Sequence, residues 1–201
     1  MGEKIHDIFG SNSDFKGRVF RDYDELLKKV NLCKKNGLKL VLTSGTFDLF
    51  HVGHSRYLEA AKKSGDVLLV GVDSDEKVRR KKGPHRPIVS ENERIEILCH
   101  SRHVDMVFLK QAKDVKWHFI KTIKPDVLIT TKRIYDKGDL TGLDEYCGEI
   151  KLLESQATTS TTAKIRRILI SPVEEIKMRL REAVEGACKF LDDLAGDGGV
   201  S

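Results

Sequence analysis

The densest chemistry in the 201-residue sequence lies between Ser44 and His54, in Ser44-Gly45-Thr46-Phe47-Asp48-Leu49-Phe50-His51-Val52-Gly53-His54. A glycine leaving a strand lets the backbone bend into a phosphate-sized turn. The helix N-terminus that follows offers unpaired N–H groups and the positive end of a dipole. His51 and His54, three apart in the first helical turn, share one face and can both donate hydrogen bonds to phosphate oxygens, with Gly53 leaving room between them. A zinc site is a poor alternative, because no third ligand follows at useful spacing. Further along, Arg79-Arg80-Lys81-Lys82 and Arg86 crowd basic charge beside the end of a second strand. A polyphosphate and a second phosphorylated ligand sharing one cleft need such cations to be desolvated cheaply. The bland alternative is a solvated loop. Aromatic interleaving, which single-stranded nucleic acid would need for stacking, is missing from this stretch.

These residues must be held by an alternating framework. Helical spacing of Leu26, Leu27, Val30 and Cys33 predicts a helix from Asp22 to Asn36, ended by Gly37. Leu38–Ser44 reads as a strand, His51–Ser64 as a helix and Val67–Val72 as a strand buried on both faces. Such a βαβ unit demands a parallel pair with a right-handed crossover. A capping box at Ser90-Glu91-Asn92-Glu93 opens a helix to Ser101. Strands at Asp105–Leu109, Asp126–Thr130 and Glu149–Leu153 and helices at Val115–Ile123 and Thr161–Leu169 complete the pattern. The expectation is an α/β fold, a doubly wound parallel sheet whose ligand sits outside the carboxyl ends of its strands. Residues 1–22 are expected to have no fold of their own. The divisions read from the sequence are 1–37, an N-terminal extension and helix; 38–170, the catalytic domain; and 171–201, a helix and tail. In the last, Val173, Ile176, Leu180, Ala183, Ala187, Phe190 and Leu194 form a heptad seam, which either packs on the chain's own fold or joins two copies in a homodimer.

The stretch GTFDLFHVGH resembles the HxGH signature of the nucleotidyltransferase superfamily that includes glycerol-3-phosphate cytidylyltransferase and heptose-1-phosphate adenylyltransferase. The likeness extends over some 120 residues. It takes in Gly65–Asp75, the Lys82-Gly83-Pro84-His85-Arg86-Pro87 segment, Glu93-Arg94, Arg102, Val104-Asp105 and Ser160-Thr161-Thr162. Three departures make the chain a mosaic: Ser44-Gly45-Thr46 reads as in the glycerol enzymes, Thr130–Asp136 stands where a Gly-Asp element follows the strand, and no Arg precedes Ser160. The resemblance implies a Rossmann-like fold and attack by an acceptor phosphate on the α-phosphorus of a nucleoside triphosphate, ATP or CTP, with pyrophosphate leaving. It implies catalytic roles for His51, His54, Lys81 and Arg102. Thr46, Phe47, Gly53, Lys82, Ser160, Thr161 and Thr162 would bind the nucleotide, and Asp48, Asp75 and Arg86 the acceptor. Asp48 has a helix cap as its structural alternative. Mg²⁺ would arrive with the triphosphate rather than in a dedicated carboxylate cage. A sugar or polyol phosphate is the expected acceptor, with FMN, as in an FAD synthase-like adenylyltransferase, or an inactive nucleotide-binding regulator as alternatives.

Composition narrows the field. With 39% apolar and 33% charged residues intermixed, no apolar run approaches the ~20 residues of a membrane span. No signal or transit pattern opens the chain, so the cytoplasm is the expected compartment. The net charge of +5 suits anionic small molecules and falls short of a nucleic-acid-binding stripe. Cys33, Cys99, Cys147 and Cys188 form no CxxC pair and are expected to be reduced and buried.

Overall fold

The computed structural model describes residues 15–131, 142–154, 176–189 and 191. By its internal contacts the chain divides into two compact units, Met1–Thr158 and Thr159–Ser201. In the first, β1 (Val19–Phe20), β2 (Leu40–Gly45), β3 (Val67–Asp73), β4 (Met106–Lys110), β5 (Val127–Thr130) and β6 (Glu149–Leu152) form one all-parallel sheet in the order β1-β4-β3-β2-β5-β6. The helices are α1 (Tyr23–Lys35), α2 (Val52–Lys62), α3 (Asp75–Lys82), α4 (Glu91–His100) and α5 (His118–Ile123). From β2 the chain winds outward through β3 and β4, then returns to lay β5 on the other side of β2. That reversal creates a crevice at the carboxyl ends of the central strands.

All seven residues of β3 are buried, which is why its sequence runs continuously apolar instead of alternating. One face is covered by α1 and α5 through Leu26, Val30, Cys33, Phe119, Ile120 and Ile123, the other by α2 and α4 through Leu58, Ala61, Ile95 and Leu98. Three aspartates finish the amino edge of the sheet. Asp66, Asp105 and Asp126, each immediately before a strand, accept the N–H groups of Lys39, Leu68 and Leu40 at 2.8, 2.6 and 2.6 Å. Backbone donors that a strand end would leave unmatched are thereby satisfied.

Several expectations change. Residues 15–20 are not unstructured: a 3-10 turn at Phe15–Arg18 leads into β1, which pairs with β4 as Val19↔Val107 and Phe20↔Phe108. Arg18 ties this segment down by donating to the carbonyls of Val104 and Cys99. The basic run 79–82 is not loop but the last turn of α3, where cations oppose the negative end of the helix dipole. Helix α5 starts at His118 instead of Val115, because Trp117 takes a left-handed conformation (φ 68°) that no α-helix includes. Cys33, Cys99 and Cys147 are buried as expected, and burial pushes the thiols of Cys99 and Cys147 up to about 11; Cys188 is exposed. In the second unit a helix covers 176–189, and every described residue in it is exposed, Ile176 by 57% and Leu180 by 61%. The expected helix at 161–169 and the residues Ser160, Thr161, Thr162, Val173, Phe190 and Leu194 lie outside the described residues. Among the described residues no helix is long and apolar enough to cross a membrane.

Candidate active site

Strand β2 ends at Gly45, and the turn from Thr46 to Phe50 delivers the chain into α2. Two of its residues, Phe47 (φ 54°) and Leu49 (φ 47°), are left-handed, a local cost that the surroundings must offset. The side chain of Phe47 is buried at 6% exposure, and a Cβ on Gly45 would come within 3.1 Å of its ring. His51 is the N-cap of α2, one position before the helix proper. Its Nδ1 accepts the N–H of Gly53 at 3.1 Å, while His54 Nδ1 accepts the N–H of His51 at 3.4 Å. A ring nitrogen that accepts carries no proton, so each neutral imidazole holds its proton on Nε2. The two rings stack with centroids 3.9 Å apart, and Phe47 and Phe50 flank His54 at 5.5 and 5.4 Å. Two N–H donors are thus fixed in tautomer and orientation at the positive end of a helix.

Lys82 reaches back from the end of α3 to the same turn, its Nζ donating to Thr46 Oγ1 at 3.0 Å. A cavity of about 770 Å³ opens beside this contact, over the ends of β2, β3 and β4 and against α5. Thr46, Asp73, Lys77, Lys81, Lys110 and Trp117 are among its lining residues. Asp73 and Lys110 are register partners at the carboxyl ends of β3 and β4, with Lys110 Nζ 3.1 Å from Asp73 Oδ1 and Lys81 Nζ 3.3 Å from Oδ2. Burial alone would raise the Asp73 carboxyl, but Lys110 and then Lys81 outweigh it and hold the group below its ordinary range. Burial lowers both Lys77 and Lys82, and each is lowered further by neighbouring cations.

The remaining sequence candidates are placed otherwise. Asp48, 2% exposed, accepts the N–H groups of Ile88 and Val89 and the Arg86 guanidinium at 2.8 Å. Burial pushes this carboxyl up, but those donors more than offset it. Asp48 therefore neither lines the cavity nor caps α2; with Arg86 it pins the segment after Pro84. Asp75 likewise pairs with the buried Arg94, which also donates to the carbonyls of Val89 and Thr46. These three candidates brace the site from behind. Arg102 is placed apart from the others: α4 carries the chain from the carboxyl edge of the sheet back to its amino edge, and Arg102 lies between α4 and β4, at the opposite end from His51 and His54. Sequence reasoning missed Asp73, Lys77, Lys110, Arg94 and Trp117. A signal existed for two of them, since Asp73 and Lys110 are the charged residues that terminate apolar strand runs.

A model of the cytidylyltransferase-like family matches residues 42–177. Curated relatives include the bifunctional protein HldE of Geobacter metallireducens, 39% identical over 168 residues (82% of this chain, 33% of that protein), and the HldE of Syntrophotalea carbinolica, 34% identical over 172 residues (83% and 34%). The chain spans about a third of the length of these relatives. Among solved structures, the lipopolysaccharide core biosynthesis protein from Thermoplasma volcanium is 30% identical, with a TM-score of 0.50, covering 59% of this chain and 97% of that one.

Proposed function

Because the chain belongs to the cytidylyltransferase-like family of nucleotidyltransferases, we propose that it moves a nucleotidyl group from ATP or CTP onto the phosphate of a small sugar or polyol phosphate, releasing pyrophosphate. The observation that carries this reading is the backbone-locked pair His51 and His54 at the start of α2, with Lys82 and Thr46 alongside. The sequence likeness to heptose-1-phosphate adenylyltransferases favours a sugar phosphate over glycerol phosphate.

In this reaction an oxygen of the acceptor phosphate forms a bond to the α-phosphorus while the bond from that phosphorus to the bridging oxygen of pyrophosphate breaks. The attacking oxygen is already anionic, so no side chain need remove a proton and no covalent enzyme intermediate forms. Rate then comes from alignment and from charge placed where the transition state needs it. The Nε2–H groups of His51 and His54 donate to phosphoryl oxygens as charge builds there, Lys82 neutralises the neighbouring oxygens, and Thr46 fixes the Lys82 ammonium. Among the described residues no three His, Cys, Asp or Glu side chains cluster as for a metal, and Asp48 and Asp73 are already matched by Arg86 and by lysines. Mg²⁺ would enter with the triphosphate, as its counter-ion. The cytoplasm, where nucleoside triphosphates are made, is the compartment this chemistry would use. A second copy of the chain, meeting the first through the exposed helix at 176–189, is part of the same reading.

The test is a matrix of four nucleoside triphosphates against sugar 1-phosphates, glycerol phosphate and FMN, read as pyrophosphate. Release that depends on both a triphosphate and a sugar or polyol phosphate supports the reading. Release with FMN alone moves the chain to FAD synthesis, and nucleotide binding without release with any acceptor makes it a regulator.

A further inference from the structure

The cations of the cleft fall into two groups. Lys82 stands with Thr46 on the side of the histidine pair. Lys77, Lys81 and Lys110 stand over the ends of β3 and β4, supplied by two elements and gathered around one carboxylate. Lys77 and Lys81 are one helical turn apart on α3, which puts like charges on one face, an arrangement that destabilises a helix unless something negative faces it. Asp73 is buried and takes Lys81 and Lys110 at once, whereas among the described residues Lys77 Nζ donates its hydrogen bond to the neutral carbonyl of Gln111, at 3.1 Å. The next carboxylate along the lining, Asp114, is engaged by the N–H of Gln111 and the hydroxyl of Tyr23. Arg80, which also lines the cavity, is already paired with Glu76. Three ammonium groups thus face two carboxylates, Asp73 and Asp114, in a partly desolvated pocket, and the surplus is positive. Burial and the nearby cations Lys110 and Lys81 lower Lys77 despite Asp73 and Asp114, as expected where positive charge is in surplus.

The reacting phosphate of an acceptor must lie near His51, His54 and Lys82, and Lys77, Lys81 and Lys110 line the same cavity as Lys82, over the ends of β3 and β4. We propose that the acceptor carries a second anionic group, a phosphate or a carboxylate, and that Lys77, Lys81 and Lys110 receive it while Lys82 serves the phosphate that reacts. This rests on the nucleotidyl-transfer reading of the cleft. Trp117, left-handed at the head of α5, belongs to the wall of that pocket.

The experiment compares two matched pairs by calorimetry on the full chain: glycerol 3-phosphate with 3-phosphoglycerate, and glucose 1-phosphate with glucose 1,6-bisphosphate. The first pair adds a carboxylate and the second a phosphate, so the two arms separate the possible second groups. In at least one pair the doubly anionic member should bind tenfold or more tightly than its partner. Lys77→Gln and Lys77→Gln/Lys110→Gln should bring that ratio below threefold while changing the affinity of the singly anionic member less than threefold. Lys63→Gln, which removes the same charge from a surface pair with Glu59 on α2, should leave the ratio intact. Equal binding within both pairs, no measurable binding of either doubly anionic member, or a ratio that survives both lysine variants would overturn the proposal. Since calorimetry does not depend on turnover, a chain that releases no pyrophosphate can still show the ratio, and a chain that does release it can lack the ratio.

Discussion

His54 is the side chain whose loss should be felt most in turnover and least in folding. Its ring is positioned by the His51 backbone and by two phenylalanines, and its donor is aimed at charge that grows only as the reaction proceeds. His54→Ala should lower kcat by ~10² or more with the melting temperature unchanged, read by pyrophosphate release and thermal unfolding. Lys77 and Lys82 give a second test, because burial holds both ammoniums below the ordinary lysine range and Lys77 is faced by Asp73, Asp114, Lys81 and Lys110. A lysine lowered on folding binds its proton more weakly in the native state. As pH rises through that lowered value toward the ordinary ~10.4, the ligand-free protein should gain stability while affinity for anionic ligands falls. The two curves should therefore run in opposite directions, and Lys77→Gln should flatten both. The sequence made the histidine pair legible because its spacing and its glycine encode the chemistry directly. It could not show that Asp48 and Asp75 turn toward Arg86 and Arg94, because a carboxylate written in a motif looks the same whether it meets a ligand or a guanidinium.

Apolar runs and caps placed most elements correctly. The errors fall where a local signal competes with tertiary demand: four consecutive basic residues read as loop until they stand in the last turn of α3, and Val115 looks helical until Trp117 interrupts. Residues within one family motif also divide between the two ends of the sheet. Asp66, Asp105 and Asp126 recur before strands because they satisfy the amino edge, far from the chemistry, and Arg102 shares that end. The family likeness suggested a catalytic Arg102, and the direction of α4 places it at the amino edge of the sheet. Gly71 tests how tightly the elements fit. A Cβ there would lie 2.5 Å from Phe119 Cε1 and 2.8 Å from Lys110 Cδ. Gly71→Ala should cost ~1 to 3 kcal/mol in denaturant unfolding, the usual scale for overpacking. By shifting the Lys110 stem it should also weaken binding of phosphorylated ligands, which a stability defect confined to the core would not do.

At the scale of the whole molecule, the reversal of winding at β2 explains why residues as distant as Thr46, Lys82, Lys110 and Trp117 meet at one edge. That edge could be anticipated from the alternation of strands and helices alone, whereas the strand β1 could not, since two residues carry no period. The exposed face of the helix at 176–189 bears on assembly. If it joins two copies, the full chain should sediment as a dimer and Ile176→Glu/Leu180→Glu as a monomer. The lysine-rich cavity has a consequence for anyone handling the protein. Sites with surplus fixed positive charge condense whatever oxyanion the solution provides, so phosphate and sulfate buffers should behave as competitive inhibitors against the acceptor, raising its apparent KM and leaving kcat alone. The same buffers should raise the melting temperature, by the equivalent of ~2.7 kcal/mol once the anion reaches a hundred times its dissociation constant. An activity screen run in phosphate could therefore find a well-folded protein and a silent enzyme.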